Sequence, residues 1–363
     1  MSTQQGVLRA LVLQGGGALG AFELGVARVL YGEEGYRPDL IAGVSIGAIT
    51  ASLLARPRNG NPLATLEAFW QEVAVSAPWL PEPFRPYASA LGNPHFFMPR
   101  MDVWSLPWWT NIYTTAPLRE TLARLIDLEA LADPDALPRL LVTATDIEKG
   151  QITPFYSAEG GLTLDHILAS GALPPGFPMT RIGAAAYWDG GLFDNTPLGA
   201  VIDHMDPAPE RAAERDIIVV NLFPNKGPVP STMTEAAQRA LNLMFANKTA
   251  SDISLLKRFN AIAGLLDFIR ADPRWEELAA SEAFKAADQR YVEIPDPLTI
   301  TRDHPADGMD ASDFSPEGIA ARVAEGETAT RMAITERDVR TGPFARPSPK
   351  AMAADLPQSA SRH

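Results

Sequence analysis

Two apolar runs near the start of the chain, each breaking into glycine, constrain its fold more than any other feature. In LVLQGGGALGAFELGVARVL (11–30), strand-like residues give way to Gly15-Gly16-Gly17-Ala18-Leu19-Gly20, and a helical spacing of Ala, Leu and Val follows. In DLIAGVSIGAITASLLA (39–55), a second apolar run ends in Gly43-Val44-Ser45-Ile46-Gly47 and again opens a helix. RLLVTATDI (139–147) and DIIVVNLF (216–223) read as further buried strands, with TLDHILASGAL (163–173) and LGAVIDHM (198–205) as helices. Short buried strands alternating with helices predict an α/β fold, with a mostly parallel sheet sandwiched by helices.

The first glycine turn admits two chemistries. Gly15, Gly17 and Gly20 satisfy G-x-G-x-x-G, which in a dinucleotide-binding unit wraps a pyrophosphate. That reading fails on its acid. The ribose-binding carboxylate should end the second strand, whereas Asp39 precedes the second apolar run and Ser45 follows it. Successive N–H groups on a glycine turn also form an anion-binding concavity, suited to the oxygen of a tetrahedral intermediate. The second turn supports this use. Gly43-x-Ser45-x-Gly47 at a strand-to-helix junction is the context of a nucleophile elbow, which lifts the serine hydroxyl above the sheet. The helix N-terminus behind it favours negative charge.

Serine needs a base. The chain has five histidines, His95, His166, His204, His304 and His363, and none falls in the loop after a strand where a triad histidine belongs. A structural or solvent role is expected for each. Asp189, in YWDGGLFDNTPL, is the stronger candidate, because Gly190 and Gly191 let the backbone approach another element closely. Taken alone, D-G is equally a hairpin turn. Burial beside Tyr187 and Trp188 would raise the Asp189 pKa towards a useful range. Asp146, at a strand end, is expected to cap a turn or pair with a cation. Asp194 and Asn195 are expected to shape the loop. No His/Asp/Glu cluster has metal-ligand spacing, so neither metal nor cofactor is expected.

In this order, the three motifs resemble those of the patatin-like phospholipases. Gly15 to Gly20 resembles that family's oxyanion loop, Gly43 to Gly47 its nucleophile elbow, and Asp189-Gly190-Gly191 its D-G-[AG] motif. ASGALPPGFP (169–178) is similar to the segment the family carries shortly before that motif. The resemblance spans about residues 11–202. It implies an α/β/α serine hydrolase with a Ser45–Asp189 dyad and an oxyanion hole drawn from Gly15, Gly16, Gly17 and Ile46. The substrates implied are lipid or other apolar esters. Leu19 departs from the pattern, since the family usually carries Arg or Lys there, and the departure weakens any direct grip on phosphate. A catalytically silent lipid- or protein-binding module on the same fold is the rival reading.

Outside the motifs, the texture changes twice. Residues 70–115 hold five of the seven tryptophans and many prolines, so this insertion is expected to pack across the sheet or to form an apolar entrance. Residues 203–340 would complete the sheet and add a helical extension, with an amphipathic helix in 231–291 and a last strand at RYVEIP (290–295). Residues 341–363 read as a disordered tail. A net charge of −13 excludes a nucleic-acid partner. It also argues against electrostatic docking on anionic membranes, but not against transient apolar contact with a membrane surface. The absence of cysteine excludes disulfides and thiol nucleophiles. The N-terminal residues lack signal-peptide character and no run is long enough to span a bilayer, so a cytoplasmic protein is expected, peripheral at membranes at most.

Overall fold

Strand β1 (Val7–Leu13) has no polar face at its C-terminal half: Ala10, Leu11, Val12 and Leu13 are all buried. A strand covered on both sides must be this apolar, and it lies inside the main sheet. The structure, a computed structural model, describes residues 7–205, 214–290, 293–305 and 310–341. The other strands are β2 (Leu40–Gly43), β3 (Met98–Pro99), β4 (Tyr113–Thr114), β5 (Arg139–Asp146), β6 (Gln151–Tyr156), β7 (Thr180–Ile182), β8 (Ala185–Asp189), β9 (Glu214–Asn221) and β10 (Leu298–Thr301). The helices are α1 (Ala21–Ala27), α2 (Ile46–Ala55), α3 (Pro62–Glu72), α4 (Ala116–Leu125), α5 (Leu128–Ala132), α6 (Leu164–Ser170), α7 (Leu198–His204), α8 (Met233–Ala271), α9 (Glu276–Ala279), α10 (Glu282–Arg290) and α11 (Pro316–Thr341).

The main sheet runs β10-β9-β1-β2-β5-β8-β7, with β6 also paired to β5. Pairing is parallel from β10 to β5 and antiparallel among β5, β6, β7 and β8. The fold is therefore the expected mostly parallel sheet with flanking helices. Its antiparallel margin was not legible in the sequence. Strand register sets the position of the site. Strand β2 stops pairing with β5 at Gly43↔Val142, and β8 joins β5 just beyond, at Ala144↔Asp189. The residues after β2 and the last residue of β8 thus emerge at one end of the sheet.

Alternation divides the core. Leu11, Leu13, Ile41, Val142, Ile218 and Val220 face a layer built from α1, α2, α3, α6 and α11. Ala10, Val12, Leu40, Ala42, Ile217 and Val219 face the other side, against Leu198 and Val201 of α7 and Leu256 of α8. Helices α1 and α11 cross through glycine. A Cβ at Gly25 would lie 2.0 Å from Val323 O, and one at Gly326 would lie 2.1 Å from Phe22 O. Only two glycines allow this backbone-to-backbone approach.

The amphipathic stretch after 231 forms the 39-residue α8, capped by Thr232, whose side chain accepts from Glu235 N. The last strand lies later than expected. Tyr291 and Val292 fall outside the described residues, residues 293–297 form no strand, and β10 begins at Leu298. Pro295 and Pro297 supply no N–H to a ladder, so pairing with β9 starts only after them. The tail expected at 341–363 lies, beyond Thr341, outside the described residues.

The insertion forms short 3-10 turns at Glu82–Leu91 and Val103–Trp108, joined by the β3–β4 pairing, as its prolines require. Its inner side carries Phe96, Phe97 and Tyr113, which pack edge-on or tilted against Phe69, Phe177 and Phe314. Among the described residues no helix is long and apolar enough to cross a membrane.

Candidate active site

The turn from β2 into α2 is held under strain. Ser45 has φ 56°, and among the described residues it alone of the non-glycines has positive φ. Such a backbone persists only where its surroundings over-determine it, and here they do. A Cβ at Gly43 would lie 2.2 Å from Gly47 O, and one at Gly47 would lie 2.4 Å from Leu13 O. The Ser45 N–H donates to Ser170 Oγ at 3.0 Å, and that hydroxyl donates to Thr143 O at 2.7 Å. Side chain and helix N-terminus therefore face the end of the sheet.

The glycine turn after β1 is positioned by polar clamps. Gly15 N donates to Asn195 O (3.3 Å), and Asn195 Nδ2 donates back to Gly15 O (3.0 Å). Gln14 is fully buried and uses both ends of its amide. Its Oε1 accepts from Leu222 N and Phe223 N at 2.6 and 3.0 Å, while its Nε2 donates to Thr196 Oγ1 and Phe245 O. The loop also abuts the elbow, since a Cβ at Gly20 would meet Ile46 Cγ1 at 2.5 Å. Gly17 has φ +59°, and a Cβ there would lie 2.4 Å from Ala311 O. Gly15 N–H is thus engaged in anchoring the loop. Among the described residues, the N–H groups of Gly16, Gly17 and Ile46 have no backbone acceptor outside helix and strand, as first-turn positions should not.

Asp189 ends β8 opposite these two turns. Its carboxylate is buried, accepts Gly191 N at Oδ1 (2.7 Å), and shares the cavity floor with Ser45. Burial pushes its pKa up to about 7, against the downward pull of the nearby Ser45 hydroxyl and the Gly191 N–H. Trp188, next to it on the strand, points to the opposite face. The shielding therefore comes from depth in the fold rather than from that neighbour. Gly190 lies close to the β5 backbone, where a Cβ would sit 2.6 Å from Thr143 O.

A cavity of about 460 Å³ opens over these groups. Gly15 to Gly17, Ser45, Ile46, Asp189 and Asn195 form its polar floor. Its walls are apolar, with Phe96, Phe97 and Tyr113 from the insertion, Leu173 to Phe177, Phe223, Phe245 and Phe314. Among the described residues, no Arg, Lys or His lines it.

The other candidates lie elsewhere. His95 pairs with Glu72 (3.2 Å), His166 Nδ1 accepts Thr163 N in a helix cap, and His204 Nδ1 lies 2.7 Å from Ala200 O. His304 is exposed, and His363 lies outside the described residues. Asp146 caps the β5–β6 turn, accepting from Glu148 N, Lys149 N and Lys149 Nζ, and the Lys149 bonds hold its pKa below the usual carboxylate range. Asp39 sits at the N-terminal end of β2, bonded to Arg9 N, away from the glycine turn. Leu19 is fully buried in the core, where a cation would find no water. Sequence reasoning missed Gln14, Ser170, Phe223, Phe245 and the 311–314 turn. Only Gln14 carried a local signal, a polar residue ending an apolar strand at the glycines.

The molecule is thus an α/β/α protein that presents a serine on a strained strand-to-helix elbow to a buried carboxylate, beneath an apolar cavity. The patatin-like phospholipase family model matches residues 11–202, just over half of the chain, and the chain belongs to that family of lipid hydrolases. The uncharacterized membrane protein Rv3479 of Mycobacterium tuberculosis is 25% identical over 243 residues, which are 54% of this chain and 22% of that protein. The chain therefore spans about a fifth of the curated relative it matches. Among solved structures, VipD from Legionella pneumophila aligns with a TM-score of 0.41 at 17% identity, covering 92% of this chain and 67% of VipD. ExoU of Pseudomonas aeruginosa, solved in complex with SpcU, aligns with a TM-score of 0.28 at 16% identity, covering 96% of this chain and 84% of that one.

Proposed function

We propose that the protein is a serine acyl hydrolase that cleaves carboxylic esters of lipids, with Ser45 as nucleophile and Asp189 as its base. The observation that carries this reading is the buried Asp189 carboxylate, set beside Ser45 on the floor of an apolar cavity. Asp189 takes the proton as Ser45 Oγ attacks the ester carbonyl. The oxyanion then lies against the N–H groups of Gly16, Gly17 and Ile46, and each such donor is worth on the order of 3 kcal/mol to the transition state. The tetrahedral intermediate collapses, Asp189 returns the proton to the leaving alcohol, and water repeats the sequence on the acyl-enzyme. The Phe-rich walls take the acyl chain. With no cation at the cavity among the described residues, recognition falls on that chain rather than on a phosphate. In this reading residues 11–202 form the catalytic unit, and residues 203–340 supply Phe223, Phe245 and the turn at 311–314.

A fluorophosphonate should add once to the wild type, as read by intact mass, and not at all to Ser45→Ala. A folded wild type that stays unlabelled, even with detergent present, would overturn the reading in favour of a silent binding module.

The base must be ionised to act, and its pKa is raised to about 7. The kcat/KM on a short-chain nitrophenyl ester should therefore rise about tenfold per pH unit below that value and level off above it. A profile already flat from pH 5 upwards would mean that burial does not raise the pKa of the base.

A further inference from the structure

The cavity wall continues outwards into an arm with an unusual surface. Between β3 and β4 the chain presents Met101 (80% exposed), Val103, Trp104 (79%), Leu106 and Trp108 (78%) to solvent. Exposed tryptophans in such a cluster are unfavourable in water and mark a contact surface. The charged groups of the arm cancel each other. Arg100 Nε and Nη2 bond Asp102 at 2.9 and 2.5 Å, and the guanidinium lies 4.7 Å from the centre of the Trp109 ring. Ser105 Oγ donates to the Asp102 carboxylate and accepts from Trp109 Nε1. This closed network stiffens the base of the arm, while the indole N–H groups of Trp104 and Trp108 find no partner among the described residues.

The arm is also joined directly to the cavity. Ile112 N donates to the carbonyls of Pro175 and Gly176 at 3.0 and 3.1 Å, and Tyr113 N donates to Gly176 O at 2.9 Å. Tyr113 Oη donates to Ala90 O at 3.1 Å. Tyr113, Pro175, Gly176 and Ala90 all line the cavity, so the apolar tip and the cavity rim form one continuous piece.

From this continuity, we infer that the 101–108 arm seats the protein on the interface of an uncharged or zwitterionic lipid aggregate, beside the entrance through which acyl chains pass. The inference rests on the proposed lipid-ester hydrolysis and names the surface that serves it. Indole rings, apolar in body with one polar N–H, belong at the lipid–water boundary. The arm offers no unpaired cation for anionic headgroups, and a chain of net charge −13 is repelled by them. Attachment is therefore by apolar insertion and should be insensitive to salt.

Binding is read apart from turnover by using the Ser45→Ala chain of residues 1–363 with phosphatidylcholine vesicles. It should co-sediment with them equally at low and high salt, and brominated lipid should quench its tryptophan fluorescence. Adding Trp104→Ser and Trp108→Ser should weaken binding by about tenfold or more and abolish the quenching. In a chain with Ser45 intact, the same double substitution should leave hydrolysis of a soluble nitrophenyl ester unchanged and lower that of vesicle lipid. Equal vesicle binding with and without the two tryptophans, binding lost at high salt, or no binding at all would overturn the inference. The last outcome would leave the tip to a protein partner. If vesicles bind but the soluble ester is not hydrolysed, the hydrolase reading fails while the docking surface stands.

Discussion

Asp189→Asn should lower kcat by about a thousandfold or more while making the protein more stable at pH 8. Both effects follow from one buried carboxyl. Loss of a positioned general base typically removes between roughly a hundredfold and ten-thousandfold of rate, and in the proposed mechanism the same group serves both acylation and deacylation. The stability effect has the opposite sign. Asp189 has an ordinary value of 3.8 when exposed and about 7 when folded, so the native state holds its proton longer than the unfolded chain does. That contribution is fully present below pH 4 and is lost as pH rises through 7, by roughly 4 kcal/mol for three units. An amide keeps an acceptor for Gly191 N and cannot ionise, so it escapes part of this loss. Thermal unfolding should show a Tm several degrees above wild type at pH 8 and no gain at pH 4. Equal Tm values at both pH values would mean that the carboxyl is not shielded as described. Glu23, buried in α1 with its pKa pushed up to about 8 by burial, contributes with the same sign. The variant therefore keeps some loss of stability at high pH.

Gly43→Ala should be among the most destabilising single methyl additions in the molecule, at about 3 kcal/mol or more. The added carbon would lie 2.2 Å from Gly47 O and 2.6 Å from Ala48 N, which are backbone atoms of the first turn of α2. No rotamer relieves such a contact. Relief requires α2 to lift from β2, which moves Ser45 and the Ile46 N–H together. Gly199→Ala is the matched control. It lies in α7 with nothing near its Cβ direction, and alanine there should be neutral or stabilising by up to about 1 kcal/mol. Urea midpoints would read both. A Gly43→Ala protein as stable as wild type would show that the elbow is looser than its geometry implies.

The legible parts of this fold and site share a physical cause. Strands β1, β2, β5 and β9 are covered on both faces and appear as continuous apolar runs. Strand β7, three residues long, and β8 lie at the antiparallel margin, and Pro154 interrupts β6, so none carries that signal. At the site, Gly15 to Gly20, Gly43 to Gly47 and Gly190 announce themselves because close backbone approach excludes a side chain. Ser45 and Asp189 are found through the glycines around them. The rest of the site depends on contacts distant in sequence. Ser170 reaches Ser45 across 125 residues, Gln14 reaches Phe223 across 209, and Ala311 covers Gly17 from near the end of the fold. No local pattern marks such residues.

The crossing of α1 and α11 at Gly25 and Gly326 also bears on when activity can arise. Helix α1 leaves directly from the glycine turn after β1, and its partner in that crossing is among the last segments of the fold to be synthesised. A nascent chain shorter than residue 326 has the serine, the carboxylate and the glycine turn, but nothing yet to brace the helix behind that turn. On the ribosome, where early segments fold first, the glycine turn would gain its brace only as α11 emerges and docks on α1.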